Sequence, residues 1–195
     1  MRSARGMLVA AAMCGGAVLV SPAQSALAAT CQGLNAPAQW TGTNGADTID
    51  GNANDNVMAG LAGNDHVNGN GGSDTTCGDE DSDTMTGGAG GDSINSGDQQ
   101  DTVTGDNQGD LIHGGQNGDD VSGNAGNDEV WGDHGDDAIH GDEDDDNLLD
   151  GLGLDELWGG AGADAFFLCN DPSDPVDVVH NAPGEPIFSG ASYCD

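Results

Sequence analysis

A nine-residue period runs without a gap from Gly42 to Phe167, giving fourteen copies in one register. GLAGNDHVN from Gly60, GGAGGDSIN from Gly87 and GNAGNDEVW from Gly123 show the pattern plainly. A fixed short period means that each unit makes the same local structure and stacks on its neighbours. The first place is Gly in twelve copies, failing at Ser96 and Asp150, and the fourth is Gly in eight. Gly is favoured where the backbone turns through φ > 0, with Asn and Asp next best. Asn54, Asp81, Asn117 and Asp144 fit that rule at the fourth place; Gln99 and Gln108 fit it poorly, so imperfect turns are expected there.

The eighth place is apolar in thirteen copies, from Ile49 to Phe166, with Thr76 the exception. An apolar residue between polar ones is the period-two signature of a short strand with one side chain turned inward. Each unit therefore reads as a six-residue turn followed by a three-residue strand. One unit buries one side chain and cannot stand alone. Two units make a coil of eighteen residues, and seven such coils would stack at about 4.8 Å. The core is then a single thin seam.

The sixth place is Asp in thirteen copies and Asn at Asn56. One edge of the stack would carry Asp47, Asp65, Asp83, Asp101, Asp119, Asp137 and Asp155; the other would carry Asn56, Asp74, Asp92, Asp110, Asp128, Asp146 and Asp164. Carboxylates one rung apart repel by a few kcal/mol per pair at an effective dielectric of about 20. A cation between rungs reverses the sign. Two carboxylates plus turn carbonyls offer hard oxygen ligands that suit Ca²⁺ better than Mg²⁺, which keeps its waters. Six gaps per edge would hold up to about twelve ions, the Asn56–Asp74 gap being the weaker for its missing charge. Since the apolar seam is thin, ion binding would supply most of the folding energy.

The pattern G-G-x-G-x-D-x-(apolar)-x resembles the calcium-binding nonapeptide repeat of the RTX, or hemolysin-type, family. That resemblance implies an all-β fold, a right-handed parallel β-roll with calcium ions held between successive turns. RTX relatives commonly leave Gram-negative cells by a dedicated channel and an uncleaved C-terminal signal. Here a basic start at Arg2 and Arg5, an apolar stretch around Met7 to Val20 and the small residues before Ala28 read as a cleavable signal peptide over residues 1–28. General secretion and an extracellular location are therefore expected. Residues 29–41 would form an N-terminal cap, 42–167 the roll and 168–195 a C-terminal cap or tail.

Asp and Glu number 35 against two Lys and Arg, for a net charge of −33. Arg2 and Arg5 are those two, so the mature chain would hold neither residue. Direct binding to nucleic acid, acidic polysaccharide or an anionic membrane surface, which needs basic contacts, is not expected unless a divalent cation bridges the two. Cys31, Cys77, Cys169 and Cys194 allow three pairings in an oxidising compartment, of which Cys31–Cys77 with Cys169–Cys194 is preferred.

No H-E-x-x-H or G-x-S-x-G motif occurs. His134 and His140 flank an acidic turn and read as solvated surface histidines rather than a zinc pair. A non-enzymatic protein with calcium ions as partners is the leading expectation. Trp40 falls at the eighth place of a degenerate unit, where it would plug the N-terminal end, and Phe166 closes the same ladder. Trp131, Leu149 and Phe167 recur at the ninth place eighteen apart and would form an exposed apolar stripe. That stripe would seat the tail, through Phe188 and Tyr193, or bind a protein or glycan partner.

Overall fold

The computed structural model of the chain describes residues 39–169 and 177–190. The expected signal peptide, most of the expected N-terminal cap, Cys31, Tyr193 and Cys194 lie outside the described residues. Among the described residues seventeen strands form two parallel sheets, one of nine strands and one of eight, and successive strands alternate between them. The fold is an all-β parallel solenoid of about eight turns, matching a right-handed β-roll.

The register follows from the period. Ile94 pairs with Ile112 in one sheet and Val103 with Val121 in the other, each eighteen residues apart. Because all copies share one phase, eighth-place side chains of one sheet stack in a column facing those of the other. From Ile49 to Phe166 all the apolar ones are buried, and Trp40 and Val179 pack against the two ends of the cluster. Trp40 pairs with Met58, so the expected N-terminal plug is in place.

The division of the unit differs from expectation. Most strands are six residues long, as in Ser93–Asp98 and Thr102–Asn107, and run from the seventh place through the third place of the next unit. The turn is only the remaining three residues. Pairing lapses at the first place and resumes at the second, as where Asn95 pairs with His113 and Gly97 with Gly115. The first-place residue is a bend inside the strand.

Stacking also continues past Phe167. Val178–His180 pairs with the strand Glu156–Ala161, placing Val179 beside Leu157. Ile187–Ser189 pairs with Ala165–Leu168, placing Phe188 beside Phe167. The tail therefore adds rungs to the end of the roll instead of lying along the stripe. The cause is geometric: an open parallel edge offers unpaired N–H and C=O groups that a further strand satisfies.

Candidate metal centre

Two left-handed residues shape each edge. In twelve units, from Leu61 to Gly160, the second-place residue has positive φ; the fourth-place residue does so from Gly63 to Gly153. Gln99 (φ 81°) and Gln108 (φ 74°) adopt the same conformation as Asn117 (φ 73°), so the expected imperfect turns do not occur. The stack imposes the conformation, and each Gln bears its local cost. Most first-place glycines have another reason to be Gly. A Cβ on Gly114 would stand 2.9 Å from Oδ2 of Asp119 and 2.9 Å from the carbonyl of Gly132.

The carboxylate thus folds back over its own unit's first residue, and the rungs are joined through it. The backbone N–H of Asp65 donates to Oδ1 of Asp83 at 2.7 Å, and that of Asp83 to Oδ1 of Asp101 at 2.7 Å. The same bond runs down the other edge, from Asp74 to Asp92 and from Asp92 to Asp110, both at 2.7 Å. All sixth-place residues fall into the two ladders expected, beginning at Asp47 and Asn56.

One oxygen of each carboxylate from Asp65 onward is satisfied in this way. The other is not. Oδ2 of every sixth-place Asp from Asp65 to Asp164 is buried with no hydrogen-bond partner. A buried carboxylate oxygen without a donor is costly, and a row of them more so. Burial first, and then neighbouring like charges, push the carboxyls from Asp65 to Asp155 up. Asp119 is raised to about 9, first by desolvation and then by Asp101 and Asp137. Asp155 is raised to about 8 and Asp83, Asp110, Asp137 and Asp146 to about 7, again with desolvation the largest cause. Such a ladder stays ionised in the roll at neutral pH only if positive charge enters it. The orphaned oxygens are hard donors, which fit Ca²⁺.

Residues 41–76, 78–112, 113–148 and 140–168 match, in four copies, the family model described as the RTX calcium-binding nonapeptide repeat. The chain belongs to the RTX calcium-binding repeat family. No curated protein matches it. Membership accounts for the shared phase of the carboxylates, and RTX repeats bind Ca²⁺.

The N-terminal rungs of this RTX roll are different. Thr43 N–H and Oγ1 donate to Oδ2 of Asp47, and Asn52 N–H donates to Oδ1 of Asn56. Thr43 and Asn52 are the two second-place residues that lack positive φ. From Leu61 onward, where the second place turns left-handed, Oδ2 of the unit's sixth-place Asp is left without a donor and is free for a cation. Residue type indicates the second-place conformation in twelve of the fourteen units and misleads at Asn52, which lacks positive φ, and at Leu61, which has it.

Other site expectations are sorted by the ninth place, on the outer faces. Leu149 is 8% exposed, flanked by Trp131 and Phe167 in the register, so the stripe is not continuously exposed. Large neighbours on both adjoining rungs cover it. His113 stacks on Trp131, with ring centroids 5.1 Å apart, and Phe167 on Phe188 at 5.0 Å. The opposite sheet carries a second ladder that sequence reasoning missed. There His140, Trp158 and His180 stack nearly parallel, at 4.2 and 4.9 Å. The same count of eighteen would have found its first two members. His140 is thus a stacking partner of Trp158, on the sheet opposite His134.

Proposed function

We propose that this chain is a secreted, non-enzymatic calcium-binding protein whose roll forms when extracellular Ca²⁺ enters the gaps between rungs. The observation that carries the reading is the unbroken row of buried, unpartnered Oδ2 atoms from Asp65 to Asp164. Calcium supplies the positive charge that this row lacks. The residues proposed to hold it are Asp65, Asp83, Asp101, Asp119, Asp137 and Asp155 on one edge and Asp74, Asp92, Asp110, Asp128, Asp146 and Asp164 on the other. Asp47 and Asn56 would contribute least, since their own turns already occupy an oxygen.

Extracellular calcium modules bind at about 10⁻⁴–10⁻³ M, which suits a protein that is unfolded inside the cell and folds on export. We further propose the pairings Cys31–Cys77 and Cys169–Cys194, supported by the burial of Cys77 and Cys169. The test of the main reading is far-ultraviolet circular dichroism of the purified chain at neutral pH. A coil spectrum in excess chelator and a β spectrum in millimolar calcium are expected; identical spectra overturn it.

A second reading is favoured by the outer aromatic ladders. Stacked rings on a flat sheet present the surface that a glycan or a protein partner would use, with calcium then only structural. Loss of binding in Trp131→Ala, with calcium uptake retained, would support that role.

A further inference from the structure

The repeat is broken at one first-place position in a way that calcium between ordinary rungs does not explain. Elsewhere that place is Gly, or Ser at Ser96; at position 150 it is Asp. The site into which its side chain projects is the one where other units tolerate almost nothing beside their own sixth-place carboxylate.

Asp150 is fully buried and Asp155 is 1% exposed. Oδ1 of Asp150 accepts the N–H of Gly151 at 2.6 Å and that of Cys169 at 2.7 Å. Its Oδ2 has no partner, and neither does Oδ2 of Asp155. The third member comes from the tail. Asp155 N–H donates to Oδ1 of Asp177 at 3.1 Å, so Asp177 takes the sixth-place role on the added rung. The step along the ladder is there twenty-two residues instead of eighteen, as the pairing of Glu156 with Val178 also records. Oxygens of all three carboxylates lie within 4.8 Å of one another. The sequence has no lysine, and its only arginines are Arg2 and Arg5, so no long cationic side chain from the roll reaches the cluster.

The geometry points to a separate three-carboxylate calcium site, formed by Asp150, Asp155 and Asp177, that clamps the tail rung onto the roll. It rests on the calcium reading above but differs from the repeat sites, since it uses a first-place carboxylate and joins strands across a lengthened connection. A third negative charge raises affinity for a hard divalent ion, because ligand charge count is a main determinant of calcium affinity. This clamp therefore fills before the rungs do. The competing occupant is a proton shared between two of the carboxyls.

Calorimetric calcium titration of the full chain at about pH 7.5, with dichroism recorded in parallel, decides between them. The wild type is expected to show one site at least about tenfold tighter than the rest. Asp150→Asn keeps an oxygen for the Gly151 and Cys169 N–H groups and removes the charge. It should lose that tight site alone, while the bulk of the calcium-induced β signal stays. Asp150→Gly restores the repeat residue and should lose the tight site as well. Unchanged stoichiometry and tightest affinity in both variants overturn the clamp and leave the rung sites standing. No calcium-induced folding in the wild type overturns the underlying calcium reading instead. Should the Asp150 variants not fold, Asp177→Asn, on the last coil, is read by the same titration: retention of the tight site there also overturns the clamp.

Discussion

The backbone N–H of Asp119 donates to Oδ1 of Asp137, eighteen residues on, at 2.8 Å, while Oδ2 of Asp137 stays buried with no partner. Each rung is thus tied to the next by half of a carboxylate. The other half is a liability unless something positive meets it. Calcium and protons are the two candidates in water, and they lead to opposite pH behaviour.

Without calcium, acid should fold the roll and base should dissolve it. The folded carboxyls are raised from 3.8, to about 6 at Asp65 and Asp92, about 7 at Asp83 and about 9 at Asp119. A group whose pKa is raised by folding binds its proton more tightly in the roll. Its stabilising contribution is present below the unfolded value and is lost as pH rises through the folded one. In calcium-free buffer the β signal in dichroism should therefore be strong at about pH 4 and fade between about pH 5 and 9. Calcium affinity should move the other way, weakening as pH falls through the same window. A calcium-free spectrum that gains β structure with rising pH contradicts the assignment.

Asp119→Asn should act with opposite signs in the two conditions. The amide oxygen can still accept the Asp101 N–H, which Asp119 now takes at 2.8 Å, but the charge facing Asp101 and Asp137 is gone. In chelator the variant should fold at a higher pH than the wild type. In calcium it should need several-fold more ion to reach half folding, because two gaps each lose one carboxylate. Calcium titrations followed by dichroism at two pH values test both halves.

The contrast between glycines is a third test. Gly114→Ala puts a methyl group 2.9 Å from both Asp119 Oδ2 and the Gly132 carbonyl, whereas Gly45→Ala meets nothing within 4 Å. Overpacking of this kind costs about 1–3 kcal/mol, so Gly114→Ala should unfold at clearly lower denaturant in saturating calcium. Gly45→Ala should be close to neutral. Equal effects would mean that the first-place glycines are not held by the carboxylate.

Much of this architecture was legible because a period constrains every copy at once. Ile94 and Ile112 must stack if any such pair does, and the two Asp ladders follow from the same count. What the period could not carry lay at its breaks. Asp177 and Val179 join the ladders four residues out of phase, so counting by eighteen passes over them. The unit's true division was hidden for another reason: a Gly at the first place looks like a turn, yet it is a strand residue whose missing Cβ makes room for a carboxylate oxygen. Asp150 was visible only as an exception, since its meaning depends on Asp177 arriving from the tail.

The core carries its own flaw, and correcting it gives the last prediction. Thr76 occupies an eighth-place position between Met58 and Ile94 and is 1% exposed. Its Oγ1 is buried without a hydrogen-bond partner. The seam around it is aliphatic on both neighbouring rungs, so the hydroxyl lost its water on folding and found nothing in exchange. An unsatisfied buried polar group costs about 1–3 kcal/mol, and Thr76→Val replaces it with a methyl of nearly the same shape. The variant should therefore raise the denaturation midpoint in saturating calcium by an amount worth about 1 kcal/mol or more. Ile94→Ala, one rung away, should lower stability by about 2–5 kcal/mol through the cavity it opens. The two changes of opposite sign in one column, measured by chemical denaturation, separate the seam's contribution from that of the ions. A Thr76→Val protein less stable than the wild type would show that the hydroxyl has a partner in solution.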